Sequence, residues 1–177
     1  MRVLIVYYSF TGNTKKVTEF IAEYLVDKAD AVNIVRLRPK QESRSFLGKC
    51  LSAFFKQKPD IFEEVTIPKT KDTLEKMEIK LSPSEFDIVI LGTPVWAFSP
   101  APAMNTYLDR CSGLENKDVI LFVTYHSGRG VESCLNYMQS ILAKKGVKSF
   151  KRFSISQFKV NDKDFILSKI KGIFTIR

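Results

Sequence analysis

Short apolar runs alternate along this chain with segments in which apolar residues recur every three or four positions. The runs are typical of strands buried on both faces, and the recurring positions are typical of helices that bury one face. Their alternation predicts an α/β protein, in which helices cover both faces of a doubly wound parallel sheet in three layers. The five predicted strands cover residues 2–8, 31–37, 87–92, 118–124 and 149–155.

The recurring apolar positions also predict where the helices lie. The first helix covers residues 13–28, and its spacing places Val17, Ile21 and Leu25 on one face. Ser99 and Pro100 are predicted to open another helix as its cap and first-turn proline. Two further helices are predicted, one from residue 131 to 142 and one that begins near residue 161.

The first candidate site follows the first predicted strand at once. A short, hydroxyl-rich turn stands at the start of the first helix and consists of Ser9, Phe10, Thr11, Gly12, Asn13 and Thr14. Unpaired backbone N–H groups and the helix dipole make such a turn a seat for an anion. Triphosphate and dinucleotide loops need further glycines or a lysine, and here Gly12 stands alone. The turn therefore fits a phosphate monoester, although its side chains could also simply cap the helix.

Two more predicted strands lead into candidate loops. The strand over residues 87–92 is followed by Thr93, Pro94, Val95, Trp96 and Ala97. The strand over residues 118–124 is followed by Tyr125, His126, Ser127, Gly128, Arg129 and Gly130. In open α/β sheets, ligands bind beyond the carboxyl ends of the strands. The sequence thus predicts one site built from three loops at this edge.

These three motifs resemble those of the flavodoxin-like family of FMN proteins, and the resemblance extends over nearly the whole chain. It implies the strand order 2-1-3-4-5 and FMN as the cofactor. It further implies that the first turn holds the phosphate, that the loop with Trp96 lies against the flavin ring, and that the loop with Arg129 lies on the pyrimidine side. Trp96, the only tryptophan, either stacks on the ring or packs beneath the third helix. Arg129 either neutralises the anionic edge of reduced flavin or points to solvent, and His126 is either a ring neighbour or a surface residue.

The connection over residues 39–85 is too long for a simple crossover, but no domain boundary is evident, so residues 1–177 are predicted to form a single domain. Within this connection, residues 45–55 predict a short amphipathic helix. We expect its large apolar side chains, Phe46, Leu51, Phe54 and Phe55, to be covered. This helix either folds over the ring end of the flavin site or caps the sheet edge.

The charge of the chain departs from that of acidic electron-carrying flavodoxins. Its 28 Lys and Arg and 19 Asp and Glu give a net charge of +9. One basic block contains Arg36, Arg38, Lys40, Arg44, Lys49, Lys56 and Lys58, and Glu42 is the only acidic residue between them. Such a block is either a solvated surface or a contact for an anionic partner. No nucleic-acid motif accompanies it, so no nucleic-acid partner is expected.

The three cysteines, Cys50, Cys111 and Cys134, form no CxxC pair, so neither a zinc site nor a dithiol is predicted. With no spanning run and no signal peptide evident, the sequence predicts a cytoplasmic protein. The main hypothesis is an FMN-binding redox protein that passes electrons to a partner protein. The alternatives are an FMN-dependent NAD(P)H reductase of quinones or similar small acceptors, and a flavin-free binding module on the same fold.

Overall fold

The computed structural model describes residues 1–41, 45–69, 73–77 and 81–174. Its strands are β1 (Arg2–Tyr7), β2 (Ala31–Pro39), β3 (Ile61–Lys69), β4 (Thr73–Met77), β5 (Ile88–Trp96), β6 (Ser99–Pro100), β7 (Asp118–Tyr125) and β8 (Ser149–Ser156). Its helices are α1 (Asn13–Val26), α2 (Phe46–Phe54), α3 (Pro102–Arg110), α4 (Val131–Ala143) and α5 (Lys163–Phe174). Short 3₁₀ turns cover Pro83–Glu85 and Gln157–Lys159.

The parallel part of the sheet has the order β2-β1-β5-β7-β8, which confirms the predicted 2-1-3-4-5. Two strands that the sequence analysis did not predict extend the sheet beyond β2. β3 pairs antiparallel with β2, and β4 pairs antiparallel with β3. The long connection therefore contributes a hairpin to the sheet edge as well as a helix.

Two apolar layers cover the sheet. Val17 and Ile21 of α1 and Ile166 of α5 pack on one face, and Met104 of α3 and Leu135 of α4 pack on the other. Alternate residues of the central strands point into the two layers, as the pleat of a strand requires. No helix in the described part of the chain is long and apolar enough to cross a membrane.

Two boundaries differ from the expectations because the chain near residue 100 forms a narrow hairpin. β5 continues past Gly92 to Trp96, so that Thr93, Pro94, Val95 and Trp96 lie in the strand rather than in a loop. Ser99 and Pro100 then pair with Trp96 and Val95 as β6. They do not open a helix, and α3 begins instead at Pro102. The sequence predicts a proline in the first turn of this helix, and Pro102 rather than Pro100 takes that place.

Helix α2 lies where the amphipathic segment was predicted, but its outward face is the apolar one. Leu47, Leu51, Phe54 and Phe55 are between 48% and 68% exposed, so the expectation that Leu51, Phe54 and Phe55 are covered was wrong. The side chain of Phe46 lies outside the described part. The helix packs against β5, β6 and α3, and Lys49 and Ala53 are its buried residues among those whose burial is described.

Candidate functional site

The turn after β1 has the geometry of an anion site. β1 ends at Tyr7, the Tyr8 amide donates to the Gly92 carbonyl of β5 at 3.0 Å, and α1 begins at Asn13. Gly12 has φ +93°, a left-handed conformation that favours glycine. The turn therefore places the first amides of α1 at the carboxyl edge of the sheet, where they have no partner within the helix.

The side chains of this turn differ in their exposure and in whether they have hydrogen-bond partners. Ser9 is only 5% exposed, and its Oγ has no hydrogen-bond partner among the described residues. Phe10 and Thr11 are exposed, and Asn13 is half-buried. A buried hydroxyl without a partner is costly, whereas one that binds a ligand oxygen is not. The unpaired Ser9 Oγ thus fits a phosphate group held in the turn.

Thr14 has a different role from its neighbours. Its Oγ1 lies 2.8 Å from Oγ1 of Thr124 in β7, and both side chains are buried. This bond ties the first turn of α1 to the strand two places away in the sheet. The Thr14 hydroxyl is therefore occupied by the fold rather than displayed at the surface of the turn.

Trp96 ends β5 as a buried residue next to this turn. Its ring meets Tyr8 edge-on, with centroids 5.6 Å apart, and meets Phe10 edge-on at 6.1 Å. The hairpin that follows, Ala97 and Phe98, has φ of +45° and +68°. Type I′ turns require positive φ at both central residues, and here neither residue is glycine. This strained turn leaves Phe98 exposed above the edge of the sheet.

The buried side chain of Thr93 connects β5 to the start of α3. Its buried Oγ1 accepts the Ala101 amide at 3.1 Å, directly before α3, and lies 3.2 Å from the Pro94 carbonyl. Thr93 thus fixes the start of α3 relative to β5. Pro94 and Val95 are partly buried in the strand, so this predicted ligand loop is more regular than expected.

The loop after β7 lies against the hairpin. Gly130 has φ +80°, and a Cβ there would come within 2.8 Å of Phe98 Cα. Ser127, Gly128 and Arg129 are exposed, whereas Tyr125 is partly buried. The structure therefore brings the second and third predicted loops together at one edge of the sheet.

His126 belongs to this loop, and its side chain contacts the turn after β8. Its Nδ1 pairs with Nε2 of Gln157, and its ring centroid lies 5.5 Å from that of Phe158. These contacts tie the loop to the turn after β8. They give His126 a structural role at the rim of the site.

A cavity of about 340 Å³ opens on the α2 side of Trp96. Its walls include Tyr8, Trp96, Lys49 and Ser52, together with the first turn of α3. Lys49 is only 4% exposed, and its Nζ lies 3.1 Å from the centre of the Phe10 ring. The sequence analysis did not predict this cavity, because its walls come from segments that are far apart in the chain.

Much of the basic block is paired rather than free. Arg38 Nε bonds to Glu64 at 3.0 Å, and Lys58 bonds to Asp109 at 2.6 Å. Arg110 of α3 lies 3.0 Å from Asp60 and lowers the pKa of that carboxyl. Glu42 and Arg44 lie outside the described residues. Carboxylates from β3, α3 and the segment before β3 thus oppose the block, which the linear sequence did not reveal.

Comparison with known protein families decides the assignment. Residues 1–159 match the family of NADPH-dependent FMN reductases. The chain belongs to this family. Membership of this family makes FMN the flavin of this chain and redox chemistry its function. It also implies a nucleotide or small-molecule electron partner.

Solved structures agree with this family fold. A flavoprotein in complex with FMN from Lactobacillus acidophilus NCFM is 19% identical with a TM-score of 0.65, and the match covers 92% of this chain and 98% of that one. Oxidised flavodoxin 1 from Bacillus cereus is 13% identical with a TM-score of 0.56, covering 97% and 98%. An NADH:FMN oxidoreductase in its apo form is 14% identical with a TM-score of 0.60, covering 97% and 86%. A comparison with curated protein sequences found no match.

Proposed function

We propose that this FMN-reductase family member is an enzyme that reduces a small acceptor. The main observation in support of this proposal is the cavity of about 340 Å³ beside Trp96. Its volume is at the lower end of the range that is typical of small-molecule sites. An electron carrier that only meets other proteins has no need of such a cavity. Quinones and similar small molecules are the acceptor class that we propose for this cavity.

Three parts of the edge would hold FMN. The amides of the turn at residues 9–13, with the hydroxyls of Ser9 and Thr11 and the amide group of Asn13, would bind the phosphate. Trp96, together with the hairpin at Ala97 and Phe98, would cover the ring and exclude water from it. When bound, FMN supplies the electron and hydride transfer itself, and the protein supplies orientation and electrostatics.

The loop after β7 would complete the ring site. Ser127, Gly128 and Gly130 offer backbone amides at the start of α4, which fit the carbonyl oxygens of a flavin edge. Arg129 exposes a cation immediately before this helix, where the helix dipole alone disfavours positive charge. A cation there stabilises negative charge on a neighbouring group. Tyr125 would form the wall beneath this loop.

A protein-to-protein electron carrier is the second candidate. Phe10, Phe98 and Phe158 are exposed around the same edge, and exposed aromatic residues at a rim are typical of contact surfaces. This candidate uses the same flavin site but needs no acceptor in the cavity. The cytoplasmic location remains a prediction in either case.

The deciding experiment adds NADPH or NADH alone to the FMN-loaded protein and follows bleaching of the flavin absorbance. The enzyme proposal expects rapid bleaching and repeated turnover once a quinone is added. Ser52→Trp, which would fill the cavity, should slow quinone turnover and leave bleaching by the nucleotide largely intact. Slow bleaching by both nucleotides, with fast reduction by a partner reductase, would favour the carrier.

FMN placement can be followed independently through the single tryptophan. Trp96 is buried in the protein, so its emission should be at short wavelength before FMN is added. Binding of FMN at the three loops should quench that emission, and removal of FMN should restore it. Emission that does not change on FMN binding would place the flavin away from Trp96.

A further inference from the structure

Arg36 of β2 lies beside the turn over residues 9–13, here called the phosphate turn, although it comes from a different strand. In the sheet register it pairs with Tyr7, the last residue of β1. Val3, Ile5 and Val32 point to the α1 face of the sheet, and alternation places Tyr7 and Arg36 on that same face. The guanidinium thus lies on the side of the sheet where the turn leads into α1.

The hydrogen bonds of Arg36 are incomplete. Its Nη2 donates to the Ser9 carbonyl at 3.5 Å, the outer limit for such a bond. Its Nε is buried and has no partner among the described residues. The carboxylate across the sheet, Glu64, has Oε2 bonded to Arg38 Nε at 3.0 Å. No ion pair of Arg36 is found within the described part of the chain.

The Ser9 hydroxyl is the second group of this kind. It is buried and unpaired in the same turn whose carbonyl Arg36 contacts. Buried donors without partners are costly, and two of them in one neighbourhood point to a ligand that supplies acceptor oxygens. An arginine fork matches the oxygens of a phosphate in geometry and in charge.

We propose that Arg36 and Ser9 form a phosphate subsite at this turn, in which the guanidinium binds the phosphate monoester from the β2 side. This inference rests on the proposed FMN site and adds a cation to a turn that contains none of its own. The phosphate rather than the flavin ring then provides a large part of the affinity, and the protein discriminates strongly against riboflavin.

The test compares Arg36→Gln with wild type in titrations of FMN and of riboflavin, read from Trp96 and flavin fluorescence. Charge-assisted hydrogen bonds are strong, so FMN affinity should fall ten-fold or more while riboflavin affinity changes less than two-fold. Arg36→Lys should recover part of the loss. Lys15→Gln is the matched control, because it removes an exposed cation, paired with Glu19, from the first turn of α1. It should change FMN affinity by less than about three-fold.

The outcomes separate this inference from the function on which it rests. Wild type that binds riboflavin as tightly as FMN would refute a phosphate seat altogether. Wild type that prefers FMN, with Arg36→Gln weakening both flavins equally or neither, would refute the role of Arg36 alone.

A second measurement guards against loss of fold in Arg36→Gln. Inorganic phosphate should raise the thermal midpoint of the FMN-free wild type and compete with FMN, but not with riboflavin. Phosphate should have a weaker effect on Arg36→Lys and on Ser9→Ala. Equal effects of phosphate on all three proteins would overturn the proposal.

Discussion

At the residue scale, Gly92 affects both the packing of the core and the turn after β1. A Cβ at this position would lie 2.2 Å from Cζ of Phe122 in β7, so the ring occupies the space of the missing side chain. The Gly92 carbonyl also accepts the Tyr8 amide, directly before the phosphate turn. Gly92 thus leaves room for the Phe122 ring over the sheet, and its carbonyl anchors the start of the turn after β1.

Gly92→Ala should therefore destabilise the fold by about 1–3 kcal/mol, the usual cost of overpacking a core. Denaturant unfolding measures this cost directly. Gly172→Ala is the matched control, because Gly172 lies in α5 with nothing within 4 Å of the added Cβ. It should be neutral or stabilise by up to about 1 kcal/mol, through helix propensity. Equal effects of the two substitutions would show that Phe122 gives way easily.

At the scale of elements, the hairpin between β5 and β6 has a strained backbone, and a substitution could relieve that strain. Ala97 and Phe98 both adopt left-handed φ, where side chains with a Cβ are disfavoured and Asn or Gly is preferred. Ala97→Asn should raise the free energy of unfolding by about 0.5–1 kcal/mol. Ala143→Asn, at the exposed end of α4, should instead lower it, because Asn is the poorer helix former. A loss of stability in Ala97→Asn would indicate that the turn is not type I′.

Elements with strong local patterns could be predicted from sequence, and those whose placement depends on distant partners could not. The central strands read as continuous apolar runs because both of their faces are covered. β4 is the edge strand and β3 lies next to it, and polar residues such as Glu64 interrupt the apolar pattern of this hairpin, so it is weak. The predicted start of α3 at Ser99 and Pro100 was wrong, because the pairing of these residues with β5 does not show in the local sequence pattern.

The same distinction holds within the candidate site. Ser9 and Gly12 could be identified from their place after a strand. The Thr14 bond to Thr124 joins residues 110 positions apart, so no local pattern shows it. Arg36 was part of a basic block in the sequence, and only the register with Tyr7 brings it to the phosphate turn. Whether the predicted residues bind FMN stays a prediction.

At the scale of the whole molecule, the reactivity of the three thiols measures how well the packed layers exclude solvent. Burial raises the pKa of Cys134 to about 12 and that of Cys111 to about 11, and it also raises the pKa of the less buried Cys50. The thiolate is the reactive form, so only Cys50 should react with a disulfide reagent at neutral pH in the native protein. All three should react in denaturant. Rapid reaction of Cys134 without denaturant would mean that the layer under α4 opens readily.

These pKa shifts also contribute to the alkaline side of the stability curve, together with Tyr107, whose pKa burial raises well above its ordinary value. An unfolded thiol ionises near its ordinary value of 9, whereas the folded Cys111 and Cys134 stay protonated to about 11 and about 12. The unfolded state therefore binds fewer protons above pH 9, and stability falls as pH rises from 9 toward 12. Denaturant titrations at pH 8, 9.5 and 10.5 should show this fall, and Cys134→Ala should make it shallower.

The outward apolar face of α2 has a consequence for motion. Among the residues of α2 whose burial the structure describes, only Lys49 and Ala53 are fully buried, and Leu47, Leu51 and Phe54 already meet water in the native state, as does Phe55 just beyond the helix. Its backbone amides should therefore exchange with deuterium through a local opening that depends weakly on denaturant and needs much less free energy than global unfolding. Amides of β1 and β5 should exchange only when the entire fold opens. The cavity beside Trp96 thus has one wall, α2, that we expect to separate from the rest of the fold without global unfolding.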